Sequence, residues 1–361
     1  MTQLLDLPSN RDEAWRWADL GGIAAAAALA PVAAPDAEFL DLPGAKLLFV
    51  DGVLDEARSD LGPVTLGPVT LGAVDAGDHP LGRRASHGWT LRLAADAAAD
   101  PVQVVHVATG RENHVAAAIE LADDAAVQVV ETYVGAGWSN RLARITLGKA
   151  ARLMRSVRLL QAAGFTSLRE EATLGEGASL VTTVLGAGDA GTRIDGAVTL
   201  AGEGGYAEFG GALLTRAEQR QECAVRVRHA APNGQSHQLW RAVAADRSVA
   251  SLAAAVEVAR HAQKTDGEQS LRGLLLQRSA TVNLKPELEI FADDVKCAHG
   301  ATVGELDARA LFYMQSRGIP PARAQALLTR AFVADALDRI GDERVREAFV
   351  ADADAWLERA L

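Results

Sequence analysis

From about residue 100 to residue 304, apolar residues come in short runs rich in Val, Leu, Ile and Thr, separated by Gly, Ala and Asp. Few stretches show helical spacing, so the pattern predicts strands joined by tight turns. The runs are also self-similar. "LADDAAV" begins at Leu121, "LGKAARL" at Leu147, "LGEGASL" at Leu174 and "LAGEGGYAE" at Leu200, so the leucines stand 26, 27 and 26 residues apart. Each unit is too small to bury its own apolar face and must stack on its neighbours, which predicts a β-solenoid. A β-sandwich also has closely spaced strands but requires no fixed period.

The pattern differs on either side. "PSNRDEAWRWADLGG" places Asn10 three residues before Glu13, as a capping box does, and predicts a short helix stopped at Gly21–Gly22. "AKLLFVDGVLDE" predicts a strand, a turn at Asp51–Gly52 and a second short run. The near-duplicate "LGPVTLGPVTLG" that follows reads as linking sequence. Beyond Gly304 the spacing turns helical. One helix is capped by Asp307 and stops at Gly318. A second opens at Pro320–Pro321 and ends at Gly341, with Ala324, Leu327, Leu328, Ala331 and Phe332 as its apolar stripe. A third carries Val345, Phe349 and Trp356. The expected organisation is an N-terminal helical and linker region over 1–80, a β-helix core over 81–304 and a C-terminal helical domain or end cap over 305–361.

Composition narrows the function. The 361 residues carry 36 Lys and Arg against 47 Asp and Glu, and a net charge of -11 repels a phosphate backbone. Nucleic acid is not an expected partner. Two cysteines are too few for a disulfide framework, and the N-terminus lacks the blocks of a signal peptide, so a cytoplasmic location is expected. "IAAAAALAPVAA" is shorter than the roughly 18 to 20 residues that span a bilayer and is broken by Pro31, so no membrane association is expected.

No phosphate loop occurs; "LGKAA" at Leu147 lacks the upstream glycine and the Ser or Thr. "GAGDAG" at Gly186–Gly191 leads into the strand pattern "TRIDGAVTL" and not a helix, so it reads as a solenoid turn. His229 and His237 bracket "AAPNGQS" and read as a surface loop without a third ligand. Asp293 and Asp294 leave open an alternative, a β-helix enzyme acting on carbohydrate or transferring acyl groups. Strand neighbours point to opposite faces, however, and 5% aromatic residues disfavour a sugar-stacking groove.

The sharpest chemistry lies in "LEIFADDVKCAHGATVG", residues 288–304. Strand alternation puts Asp293, Val295, Cys297 and His299 on one face. Two soft or borderline ligands do not complete a metal site, so either Cys297 and His299 are structural or further ligands come from another subunit. Gly300 and Gly304 predict a sharp exit from the last coil that leaves His299 near the surface.

This stretch, with "AQKTDGEQSLRGLLLQRSA" before it and "ALFYMQSRGIPPARAQALLTRAF" after it, closely resembles the SufB/SufD family of iron-sulfur cluster assembly proteins. "RDEAWRWADL" and "LLFVDGV" extend the resemblance to nearly the whole chain, and "KCAHGATVG" is similar to the form found in the SufD branch. The resemblance implies a right-handed parallel β-helix with helices at each end. It implies a non-catalytic scaffold subunit that works with a SufB-like subunit and a SufC-like ABC ATPase, and a possible homodimer in isolation. It implies that Asp293, Asp294 and Lys296 belong to the subunit interface. His299, with Cys297 beside it, would then serve a transient iron-sulfur cluster shared with the partner. The ATPase would dock on the C-terminal helices at Phe312, Tyr313, Met314, Arg317 and Gly318. Three successive large apolar residues at 312–314 cannot all face inward on one helix, which agrees with a docking role.

Overall fold

The computed structural model describes residues 6–62 and 69–361; the start of the chain and half of "LGPVTLGPVTLG" lie outside the described residues. Strands β1 (Lys46–Val50), β2 (Val53–Leu54), β3 (Val69–Ala73) and β4 (His87–Leu93) open the body. β5 (Val102–Leu121) and β6 (Ala126–Leu147) are long strands that bend partway along. After them come β7 (Arg152–Leu159), β8 (Ala163–Leu174), β9 (Ser179–Gly186), β10 (Gly191–Leu200), β11 (Tyr206–Thr215) and β12 (Arg220–His229). β13 (Gln235–Ala244), β14 (Val249–Val258), β15 (Asp266–Leu275), β16 (Thr281–Ile290) and β17 (Lys296–Glu305) complete the series.

Strands pair in parallel with the strand two further on. The last half of β6 continues through β8, β10, β12, β14 and β16. The first half of β6 continues through β7, β9, β11, β13, β15 and β17. Each coil therefore contributes one strand to each of two stacked ladders, and the fold is a parallel β-helix. β1 belongs to it as well, pairing in parallel with β5, so the strand expected in "AKLLFVDGVLDE" joins the β-helix although it lies before residue 81. The Asp51–Gly52 turn joins β1 to β2 with φ of 48° and 83°, the left-handed pair that a two-residue hairpin requires.

The sequence repeat is a physical column. Leu121 stands opposite Leu147, Leu147 opposite Leu174, and Leu174 opposite Leu200. The column then continues through His229, Val258 and Ile290. A second column runs along the turns, where Asp124, Ala150, Gly177, Gly204, Asn233 and Lys264 are all left-handed, with φ between 53° and 68°. The N–H of each donates to a carbonyl of the next turn, ending at Lys264 N–H on the Asp294 carbonyl. The next residue in that series is Val295, whose branched side chain resists φ > 0, and the column stops there. At the other edge Gly135, with φ of 92°, lets β6 turn against β5; a Cβ there would lie 2.0 Å from the Ala108 carbonyl oxygen.

His229 lies in the leucine column and not in a surface loop. It is fully buried, with Nε2 2.8 Å from Ser236 Oγ, and burial pushes its pKa down to about 4. His237 remains partly exposed, 3.5 Å from Glu268. The unfolded chain protonates residue 229 from about pH 6.5 downward, whereas the fold holds it neutral to lower pH. Its contribution is therefore intact above that value and is lost as pH falls through the folded pKa. Between pH 7 and 4.5 the wild type should lose about 2–3 kcal/mol through this group. His229→Leu should remove that share, read from urea midpoints at the two pH values; equal pH slopes would overturn the assignment.

The interior also holds charge. Arg155 donates to Glu131 at 2.8 Å and 3.0 Å and to Glu170, and all three side chains are at least 96% buried. Tyr133 donates to the second Glu131 oxygen at 2.5 Å, and Thr182 donates to Glu170 at 2.9 Å. His106 stacks between Phe49 and Tyr133 with no hydrogen-bond partner on either ring nitrogen. The adjoining cavity measures about 10 Å³, room for one water molecule and not for a sugar.

Four α-helices flank the solenoid. α1 (Leu20–Ala27) runs through Gly21 and Gly22 instead of stopping there. The Asp19 side chain accepts from Gly22 N–H, and a Cβ on residue 22 would sit 2.5 Å from that carboxylate, so glycine here permits the cap. Asn10 is not an N-cap; its amide donates to the Trp15 and Ala18 carbonyls. α2 (Ala308–Ser316), α3 (Pro321–Leu337) and α4 (Glu343–Ala360) follow β17. The Asp307 side chain caps α2 as expected, and Val345, Phe349 and Trp356 of α4 are fully buried.

These helices do not cap the solenoid end. α3 and α4 lie along its side, packing Val333, Leu337, Phe349 and Trp356 on Leu185, Leu214 and Val243. Arg158 to Asp352 at 2.6 Å and Arg241 to Asp335 pin them there. The buried stripe of α3 is accordingly Ala324, Thr329, Val333, Ala336 and Leu337, while Leu327 and Ala331 of the expected stripe are exposed. Among the described residues, no helix is long and apolar enough to cross a membrane.

Candidate functional site at the open end

β16 and β17 are the last strands of the two ladders, each bonded on one edge only. The consequence is visible in burial. Lumen-facing Ala250, Leu252, Ala254, Val256 and Val258 of β14 are fully buried, whereas their partners Val282, Leu284, Pro286 and Leu288 on β16 are half-buried. Ile290, Phe291 and Val303 are more than a third exposed. The lumen thus ends in an apolar mouth bordered by two free strand edges.

Cys297 and His299 stand on that mouth. In the β15–β17 register Cys297 lies opposite Gly267, His299 opposite Gln269, Ala301 opposite Leu271 and Val303 opposite Gly273, all four partners being buried. Alternation therefore puts Cys297, His299, Ala301 and Val303 on the lumen side, where no further coil covers them. Cys297 is half-buried beside Val256 and Val258, and desolvation raises its thiol pKa, which keeps it protonated in the free chain. His299 is exposed. The exposure does not come from a glycine exit: Gly300 and Gly304 are inside β17, which runs unbroken to Glu305.

Asp293 and Asp294 are in the bend before β17, so strand alternation does not extend to them. Both are exposed, as is Lys296; Asp294 N–H donates to Gln263 Oε1 at 2.9 Å. Among the described residues, Cys297 and His299 are the only soft or borderline donors at the mouth, and no group of three or more His, Cys, Asp or Glu could hold a metal ion. Two donors do not make a closed metal site, which needs four.

α2 presents the second candidate surface. None of its residues is buried; Phe312 and Tyr313 are 73% and 60% exposed, and Met314 is half-buried. Arg317 stacks on Tyr313 at 5.2 Å. Gly318, with φ of 85°, closes the helix in the left-handed conformation, and its N–H donates to Gln315 O. Leu327, on the neighbouring α3, adds to the exposed apolar area.

A parallel β-helix with an uncovered last coil and an exposed helix on its side defines a solenoid-fold protein. The chain belongs to the SufBD family: the model described as "SUF system FeS cluster assembly, SufBD core domain" matches residues 105–332, from β5 into α3. It is similar to the iron-sulfur cluster assembly protein SufD of Escherichia coli K12, 42% identical over 116 residues, 32% of this chain and 27% of that protein. It is also similar to SufD of Bacillus subtilis, 28% identical over 162 residues, 45% of this chain and 37% of that protein. An iron-sulfur cluster assembly SufBD family protein of Mycobacterium tuberculosis H37Rv is 33% identical over 186 residues, 49% of this chain and 46% of that protein. The matched stretches span less than half the length of each of these curated relatives.

Proposed function

We propose that this chain is a non-enzymatic scaffold subunit of cytoplasmic SUF iron-sulfur cluster assembly. Its open end pairs with a SufB-like subunit, or with a second copy of itself in isolation. His299, with Cys297 beside it, contributes to a nascent cluster carried as transient cargo between the two subunits. α2 and the exposed part of α3 dock a SufC-like ABC ATPase through Phe312, Tyr313, Met314, Arg317 and Gly318. The observation that carries the reading is the uncovered last coil: two potential ligands stand on a lumen face that lacks its next layer, while the helices that could cover it run along the side. Ligands divided between two chains can be separated by motion, which suits a cluster that has to be handed on.

The test is iron and sulfide content of the complex co-expressed with SufB-like and ATPase partners and purified without oxygen. His299→Ala should leave assembly intact and reduce iron at least about tenfold, as loss of a cluster ligand would. In the same preparation Phe312→Asp with Tyr313→Asp should lose the ATPase while retaining the SufB-like partner. Full iron in the His299→Ala complex would overturn the cluster role, and retention of the ATPase would overturn the docking surface.

A further inference from the structure

Directly beneath His299 in the ladder is Gln269, whose side chain is 1% exposed. Its Nε2 donates across the lumen to the Glu287 carbonyl of β16 at 3.1 Å. A carbonyl can only accept, so this bond fixes which end of the amide is nitrogen and which oxygen. Oε1 is then a buried acceptor with no partner. An orphan of this kind is destabilising.

One coil earlier Gln238 makes the same stitch, donating to Ala255 O at 2.9 Å and likewise leaving its Oε1 without a partner, and Ala255 is the ladder partner of Glu287. The cross-lumen bond is therefore a repeated structural device. What differs at Gln269 is its outer neighbour. Gln238 is followed by another glutamine, whereas Gln269 is followed by an imidazole, which in its neutral form carries one N–H and one free lone pair. Adjacent strands are about 4.8 Å apart, within reach of a glutamine and a histidine stacked in register. Histidines that bind metals commonly give their second nitrogen's hydrogen to such an acceptor, which selects the tautomer and aims the free lone pair outward.

We propose that Gln269 is a positioning residue for His299: its buried Oε1 accepts the ring N–H and turns the other ring nitrogen toward the open end. The functional consequence rests on the cluster-assembly reading above; the hydrogen bond itself does not.

The experiment uses the full chain, labelled with ¹⁵N at histidine and free of iron, and reads the tautomer of His299 from its imidazole nitrogen shifts. The wild type should favour one tautomer by about tenfold, the bias one buried hydrogen bond supplies. Gln269→Met, which keeps an unbranched chain of similar length, should lose that bias. Gln269→Glu, whose buried carboxyl stays protonated, can donate its O–H to the Glu287 carbonyl and keep its other oxygen as the acceptor; it should restore the bias, and keeps the proposal testable if the Met variant fails to fold. An unchanged tautomer ratio in Gln269→Met, or a lost bias in Gln269→Glu, would overturn the proposal. In the anaerobic complex, iron should fall about tenfold in Gln269→Met and return in Gln269→Glu. If His299→Ala keeps its iron, the assembly reading fails while the tautomer still decides the role of Gln269.

Discussion

Arg155→Met should destabilise the solenoid by roughly 3–5 kcal/mol, the cost of leaving buried charge unpaired. Among the described residues, Arg155 is the only Lys or Arg paired with Glu131 or Glu170, and both carboxylates are nearly inaccessible to water. Without it, two like charges face each other across the lumen of the coils built from β6, β7 and β8. Burial already raises the Glu170 pKa and Arg155 opposes that rise, so the variant should raise it further. A carboxyl with a folded pKa above its unfolded value stabilises the fold at low pH, and that contribution is lost as pH rises through the folded value. The defect should therefore be larger at pH 8 than at pH 5. Adding Glu131→Gln and Glu170→Gln to Arg155→Met should recover most of the loss, because neutral amides can be buried at lower cost. Urea unfolding at both pH values, with amide exchange followed in β6–β8, reads the effect. A loss below about 1 kcal/mol, or one independent of pH, would show that the cluster is solvated in solution.

The stacking of coils was legible because Leu121, Leu147, Leu174 and Leu200 keep one column at nearly constant spacing. The same column continues through His229, Val258 and Ile290, but at intervals of 29, 29 and 32 residues, because the turns lengthen. Local pattern alone lost the period there and sent His229 to a surface loop. Gly21 and Gly22 misled for a related reason: glycine usually stops a helix, yet here its missing Cβ makes room for the capping carboxylate of Asp19.

At the site, alternation correctly put Cys297 and His299 on one face of β17. It could not reveal that the face is lumenal and uncovered, because that depends on where α3 and α4 go. Their path is set by contacts such as Arg158 with Asp352, 194 positions apart in the chain. Gln269 carried only a faint signal. It alternates with the inward Leu271 and falls one coil before His299, a relation that needs the register to be seen.

Ala301→Lys combined with Val303→Lys should abolish association at the open end while leaving the free chain folded. Both residues are already exposed in the single chain, so the change should alter its stability by no more than about 0.5 kcal/mol. They nevertheless occupy the lumen side of the terminal strand, in register with Leu271 and Gly273. The two free edges are not equivalent. β16 is protected by Pro286 and by Lys285, Glu287 and Glu289, whereas β17 has no proline and no Asp, Glu, Lys or Arg between its terminal Lys296 and Glu305. β17 is thus the edge suited to strand addition by a partner. Covering the mouth would desolvate both new ammonium groups, and a penalty of several kcal/mol corresponds to at least about a hundredfold loss of affinity. Ala298→Lys, on the outer face opposite Glu268, serves as the matched control and should associate normally. Sedimentation of each variant, alone and with a SufB-like partner, distinguishes the outcomes. If the double variant associates like the wild type, the partner binds elsewhere, and His299 and Cys297 face solvent in the assembly with no second set of ligands to complete a cluster.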